Sequence, residues 1–123
     1  MILETNLYTI QNTNGNYVGI ANASWNVTRL GNGRYYITSR VDTSDILHAS
    51  TGGASVADTP VAIKAAAQEW IIKPNGDYYN IGPVDGAAYW SFTDNHTGTV
   101  VILKQDANVP SNKWKFQPSL GDP

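Results

Sequence analysis

Apolar and polar residues alternate in short runs along this chain, and the runs share one layout. Around residues 68–81, Trp70 and Ile72 fall on one face of a strand and Tyr79 and Ile81 on one face of the next. Between them stands Asn75-Gly76, a pair suited to the two positive-φ positions of a type I′ turn, which predicts a hairpin. The same layout occurs earlier as Trp25-Asn26-Val27, Gly31-Asn32-Gly33 and Tyr35-Tyr36-Ile37. Its two halves stand alone near the ends of the chain, as Tyr8-Thr9-Ile10 and Trp114-Lys115-Phe116. No helical period of useful length competes; Ala65-Ala66-Ala67 is too short. The pattern predicts an all-β chain built from one unit used three times.

Spacing makes the repeat quantitative. Trp25, Trp70 and Trp114 lie 45 and 44 residues apart, the fixed period that marks a repeat architecture. Tyr35 to Trp70 and Tyr79 to Trp114 are each 35 residues, whereas Tyr8 to Trp25 is 17, so the first unit is 18 residues short. The units span about 6–30, 33–75 and 77–119 of a single domain over residues 1–123. The second unit runs Tyr35 to Arg40, Ile46 to Ser50, Val61-Ala62-Ile63 and Trp70; the third runs Tyr79 to Ile81, Ala88 to Phe92, Val100 to Leu103 and Trp114. Complete units therefore hold four strands. The first is expected to hold three, lacking its third strand and the adjoining loop. Ile20, Ala21 and Asn22 mark the junction where that loop would attach, and the four residues from Ala21 to Ser24 reach at most ~14 Å. The strand Tyr17 to Ile20 is then expected to be an edge without its partner. Either the chain dispenses with this segment, or the natural protein carries roughly 18 more residues there, which would raise its mass above 13.3 kDa by about 2 kDa.

Three four-stranded units, each opened and closed by a strand bearing an inward aromatic, resemble the β-trefoil. The resemblance implies that the outer strands of the units close a six-stranded barrel while the inner pairs form caps. The aromatics then become core layers, and Trp25, Trp70 and Trp114 are read as structural rather than as ligand platforms. Trp90 lies outside the repeated frame and is read as a cap residue in preference to an exposed contact.

Composition narrows the function classes. A 123-residue chain of this kind buries a core without staples, and with no cysteine it has neither disulfides nor thiolate metal ligands. A formal charge of -2, with no basic stripe, argues against nucleic acid as a partner. No apolar run approaches the length of a membrane span, and no basic start followed by an apolar segment suggests a secretory leader. The expected location is the cytoplasm, or outside the cell by a non-classical route. The sequons at Asn22, Asn26 and Asn95 are read as chance in an Asn- and Thr-rich chain. His48 and His96, the only histidines, have no metal-ligand spacing, and no Gly-x-Ser-x-Gly elbow is present. Neither an enzyme nor a cofactor is expected.

Two binding classes remain. Gln68-x-Trp70 matches the Gln-x-Trp motif of ricin-B-like trefoil lectins, although the other units read Ala23-Ser24-Trp25 and Asn112-Lys113-Trp114. That resemblance implies a carbohydrate site drawing on Asp45, His48, Gln68 and Trp90, with glycans as partners. A second resemblance covers most of the chain and is most specific over residues 7–37. Tyr8-Thr9-Ile10-Gln11-Asn12, Gly15-Asn16-Tyr17-Val18-Gly19 and Trp25-Asn26-Val27 through Tyr35 are similar to mushroom β-trefoil serine protease inhibitors of the cospin and cnispin type. It implies a fungal defence protein that inserts a surface loop into the cleft of a serine protease. The first-unit loop of that family has no counterpart here. The other candidate is the loop before the last strand, with Lys104, Gln105, Asp106, Ala107, Asn108 and Val109 as its contact residues and Lys104 suited to a trypsin-like pocket. Inhibition of a trypsin-like protease is the expectation taken forward, with a carbohydrate-binding lectin as the alternative and a scaffold with neither activity as the third reading.

Overall fold

The computed structural model describes residues 3–13, 15, 24–39, 48–51, 59–64, 67–84, 88–92, 101–105 and 113–118. Ten strands lie among them: β1 (Asn6–Asn12), β2 (Trp25–Gly31), β3 (Arg34–Ser39), β4 (His48–Ser50), β5 (Pro60–Lys64), β6 (Trp70–Asn75), β7 (Tyr78–Pro83), β8 (Tyr89–Phe92), β9 (Val101–Lys104) and β10 (Trp114–Pro118). Neighbouring strands run β2-β1-β10-β7-β6-β3, and the additional β2–β3 pairing closes these six into a barrel. Closure leaves the ring without an unpaired edge. The hairpins β4–β5 and β8–β9 stand outside the ring and join each other through β5–β9, with the Leu103 amide donating to the Thr59 carbonyl at 3.0 Å.

One register recurs three times. Tyr8 stands opposite Trp25, Tyr35 opposite Trp70, and Tyr79 opposite Trp114. The first unit reaches this register over a separation of 17 residues where the other two use 35. The expected Tyr17 to Ile20 strand and the junction at Ile20, Ala21 and Asn22 lie outside the described residues.

Period-two alternation drives one face of each barrel strand inward. Ile10, Val27, Ile37, Trp70, Ile81 and Trp114 are fully excluded from solvent, with Tyr8, Tyr35 and Ile72 nearly so. Trp25 is buried too, so all three repeated tryptophans are core residues as the alternation predicts. Two of them are also tied to the caps: the indole N–H of Trp70 donates to the Ala49 carbonyl at 2.8 Å, and that of Trp114 to the Trp90 carbonyl at 3.0 Å. Ala49 and Trp90 thus hold equivalent places in their units, a small residue in one and the largest in the other. The Trp90 ring stands edge-on to both Trp70 and Trp114, at 5.2 and 6.4 Å between centroids, and Phe92 packs on Trp114 at 5.0 Å. Such pairs contribute about 0.5–1.5 kcal/mol each beyond burial.

The two long hairpins turn differently. At the β2–β3 turn, Asn32 (φ 55°) and Gly33 (φ 76°) take both positive-φ positions of a type I′ turn, and Gly31 (φ 100°) sits at a bulge that leaves Leu30 exposed. At the β6–β7 turn, Asn75 pairs with Tyr78, so the central residues are Gly76 and Asp77 rather than Asn75 and Gly76. There Gly76 (φ 65°) is the residue with positive φ, the pattern of a type II′ turn with glycine first. The expectation of a type I′ turn at Asn75-Gly76 is corrected by one residue. The Asn75 side chain instead donates to the Asn80 side chain at 2.9 Å, which holds it in the ladder.

The segment before β1 stoppers one end of the barrel. Leu3 is buried, and the phenols of Tyr35 and Tyr8 donate to the carbonyls of Leu3 (2.6 Å) and Glu4 (2.8 Å). Thr5 Oγ1 accepts from the Arg29 amide at 2.8 Å, and Glu4 pairs loosely with the Arg29 guanidinium.

Candidate ligand-binding site

The Gln-x-Trp motif acts as a fastener. Gln68 Oε1 accepts three hydrogen bonds, from Ser50 Oγ (3.0 Å), the Thr51 amide (2.8 Å) and Thr51 Oγ1 (3.1 Å). Two residues on, the Trp70 indole holds the carbonyl of Ala49. Together they pin β4 onto the barrel. With its oxygen so occupied, Gln68 is a support for the cap more than a group free to meet a ligand.

The other members of the expected carbohydrate set do not converge with it. Trp90 is 1 % exposed and enclosed by Trp70 and Trp114, so its ring offers no face to a sugar. The reading of Trp90 as a carbohydrate contact is corrected for that reason; it is a core residue of the cap. His48 opens β4, opposite Thr38 and Lys64, with its ring edge-on to Tyr36 at 5.1 Å and its Nδ1 buried without a hydrogen bond. Asp45 lies outside the described residues. Of the expected inhibitory loop, Lys104 and Gln105 are exposed at the end of β9, while Asp106, Ala107, Asn108 and Val109 lie outside the described residues.

A different set of side chains does converge. On the β6–β7 hairpin the residues between the inward ones face out: Ile71 stands opposite Gly82, and Lys73 opposite Asn80. Ala88 and Tyr89, at the start of β8, rise against this face and leave a cleft of about 150 Å³ over Ile71, Lys73, Asn80 and Gly82. Gly82 is required for the wall to approach: a Cβ there would lie 2.5 Å from the Ala88 carbonyl oxygen and 3.5 Å from Tyr89 Cδ1. The Tyr89 ring is therefore set directly over backbone. Asn80 is buried with its amide oriented by Asn75, and Tyr89 is half-buried. Arg29 and Arg34 are each paired with a glutamate, but Lys73 has no ion pair among the described residues. The cleft thus combines an aromatic wall, an amide and a cation.

Sequence reasoning missed this site. Lys73, Asn80 and Gly82 are the outward residues of a hairpin chosen for its inward ones, and only the approach of β8 turns their face into a concavity. The available signal was Gly82, a glycine directly after Tyr-x-Ile, where close backbone approach was the natural inference.

No protein-family profile and no curated protein matches the sequence. Solved structures match at the level of fold. The Rhizoctonia solani agglutinin superimposes with a TM-score of 0.78 at 16% identity, over 97% of this chain and 99% of that one. A Macrolepiota procera ricin B-like lectin, solved with lactose, gives 0.77 at 14% identity over the same shares. The designed threefold-symmetric protein ThreeFoil gives 0.75 at 16% identity, over 92% of this chain and 99% of that one. The chain has the β-trefoil fold.

Proposed function

We propose that this protein is a non-enzymatic carbohydrate-binding β-trefoil of the fungal lectin type. The observation that carries this reading is the superposition of 97% of the chain on fungal lectins of matching length, one of them solved with lactose. It agrees with the concave surface on the described residues, where an apolar ring and a few polar groups meet as saccharide recognition needs. Protease inhibition draws no comparable support, since no inhibitor is among these structures and most of the Lys104 to Val109 loop lies outside the described residues. We read the first unit as truncated in its cap, because its Tyr8–Trp25 register is kept across a separation 18 residues shorter than in the other units.

The test is a glycan array probed with the purified protein, run beside a titration of trypsin. Binding to a subset of glycans, competed by free saccharide, with trypsin left fully active, is the expected result. An empty array together with stoichiometric loss of trypsin activity would overturn the reading in favour of loop insertion.

A further inference from the structure

We propose that the cleft over the outer face of the β6–β7 hairpin is a subsite for one pyranose ring bearing a carboxylate, with Tyr89 as its stacking wall and Lys73 as its charge partner. This deepens the carbohydrate reading and rests on it. Size comes first: about 150 Å³ is small for a drug-like ligand but of the order of a cavity that takes one six-membered ring. Shape follows from Gly82, which lets Ala88 and Tyr89 close onto β7, so the wall is in place before a ligand arrives and little ordering is lost on binding. A sugar ring has an apolar face of C–H groups and a polar rim; the half-buried Tyr89 ring suits the first, and the Asn80 and Lys73 side chains suit the second. Charge decides the class. Lys73 is exposed on the rim, and among the described residues it is bound to no carboxylate and no acidic side chain lines the cleft, so its charge favours an anionic ligand. Neither Gln68 nor Trp90 takes part.

Amide chemical shifts of the intact protein, followed while glucuronate, glucose or acetate is added, read this directly. Glucuronate should move the amides of Lys73, Gly82 and Tyr89 at lower concentration than glucose, acetate should move none of them, and added salt should weaken the glucuronate response. Tyr89→Ala should weaken glucuronate binding about tenfold, as loss of a packed aromatic contact does. Lys73→Ala alters an exposed side chain and leaves the core untouched. It should weaken glucuronate binding about threefold to fivefold, the range of a surface charge pair, and bring it level with glucose. Acetate moving the same amides as glucuronate would overturn the saccharide assignment. A protein that binds array glycans but gives no glucuronate shifts in the cleft, or binds glucuronate equally in both variants, overturns the subsite and leaves the lectin reading standing. Glucuronate shifts in the cleft with an empty array overturn the lectin reading and leave the subsite. Neither signal overturns both.

Discussion

A buried indole carries one polar atom that favours an acceptor, and at Trp70 and Trp114 that bond joins the barrel to its caps, whereas the Trp90 Nε1 is buried without a hydrogen bond among the described residues. Trp70 donates to the Ala49 carbonyl and Trp114 to the Trp90 carbonyl. Trp70→Ala should therefore cost about 3–5 kcal/mol, the range for removing a large buried aromatic. It should also loosen β4, since the bond to Ala49 goes with the ring. Urea unfolding followed by fluorescence checks the first effect, and hydrogen exchange at residues 48–51 the second; a loss below 1 kcal/mol would contradict the core role. At this scale the inward aromatics were legible, because alternation and the repeat both place them. Trp90 was legible only as an exception to the frame. Its burial depends on how its cap packs against two other tryptophans, which no local pattern encodes.

At the scale of elements, the hairpin β6–β7 shows what a turn controls. A turn centred on Asn75-Gly76 would have paired Ile72 with Tyr79; the turn centred on Gly76-Asp77 pairs Ile72 with Ile81. Moving the turn by one residue moves the register by two, and a shift of two keeps every side chain on its face. The predicted inward set survived for that reason, while the partners across the ladder changed. Gly76 carries the positive φ of its turn, and an L side chain there strains the backbone. Gly76→Ala should destabilise the protein by roughly 1 kcal/mol or more, whereas Asp77→Ala, at the other central position, should be nearly neutral. Thermal unfolding of the two variants measures this: Gly76→Ala as stable as Asp77→Ala would contradict the positive φ at Gly76.

At the scale of the whole molecule, the plug at the barrel end makes stability depend on two phenols. Burial raises the pKa of both Tyr8 and Tyr35 above the ordinary value of 10.0. The charges of Tyr79 and Glu4 push Tyr8 the same way, and Arg29 partly opposes the rise at Tyr35. Above pH 10 the unfolded chain releases these protons while the folded chain retains them, so the unfolded state binds fewer protons and stability falls with pH. The contribution is fully present below pH 10 and is lost as pH rises through the folded values. Tyr35→Phe should flatten this decline while lowering stability at neutral pH, through loss of the 2.6 Å bond to the Leu3 carbonyl. Denaturation midpoints from pH 8 to 11.5 measure both effects, and an unchanged slope in the variant would remove Tyr35 from the account. What the sequence determined by itself was the all-β class, the threefold repeat and the inward face of each barrel strand, because all of these follow from periodicity along one chain. What only the tertiary structure decided was which outward faces meet. Ile71, Lys73, Asn80 and Gly82 form a cleft because β8 closes over them, and Gln68 is engaged because β4 lies beneath it. Those contacts join residues of different strands and loops, and their geometry is fixed by barrel closure and cap packing, neither of which is written in the alternation of any one strand.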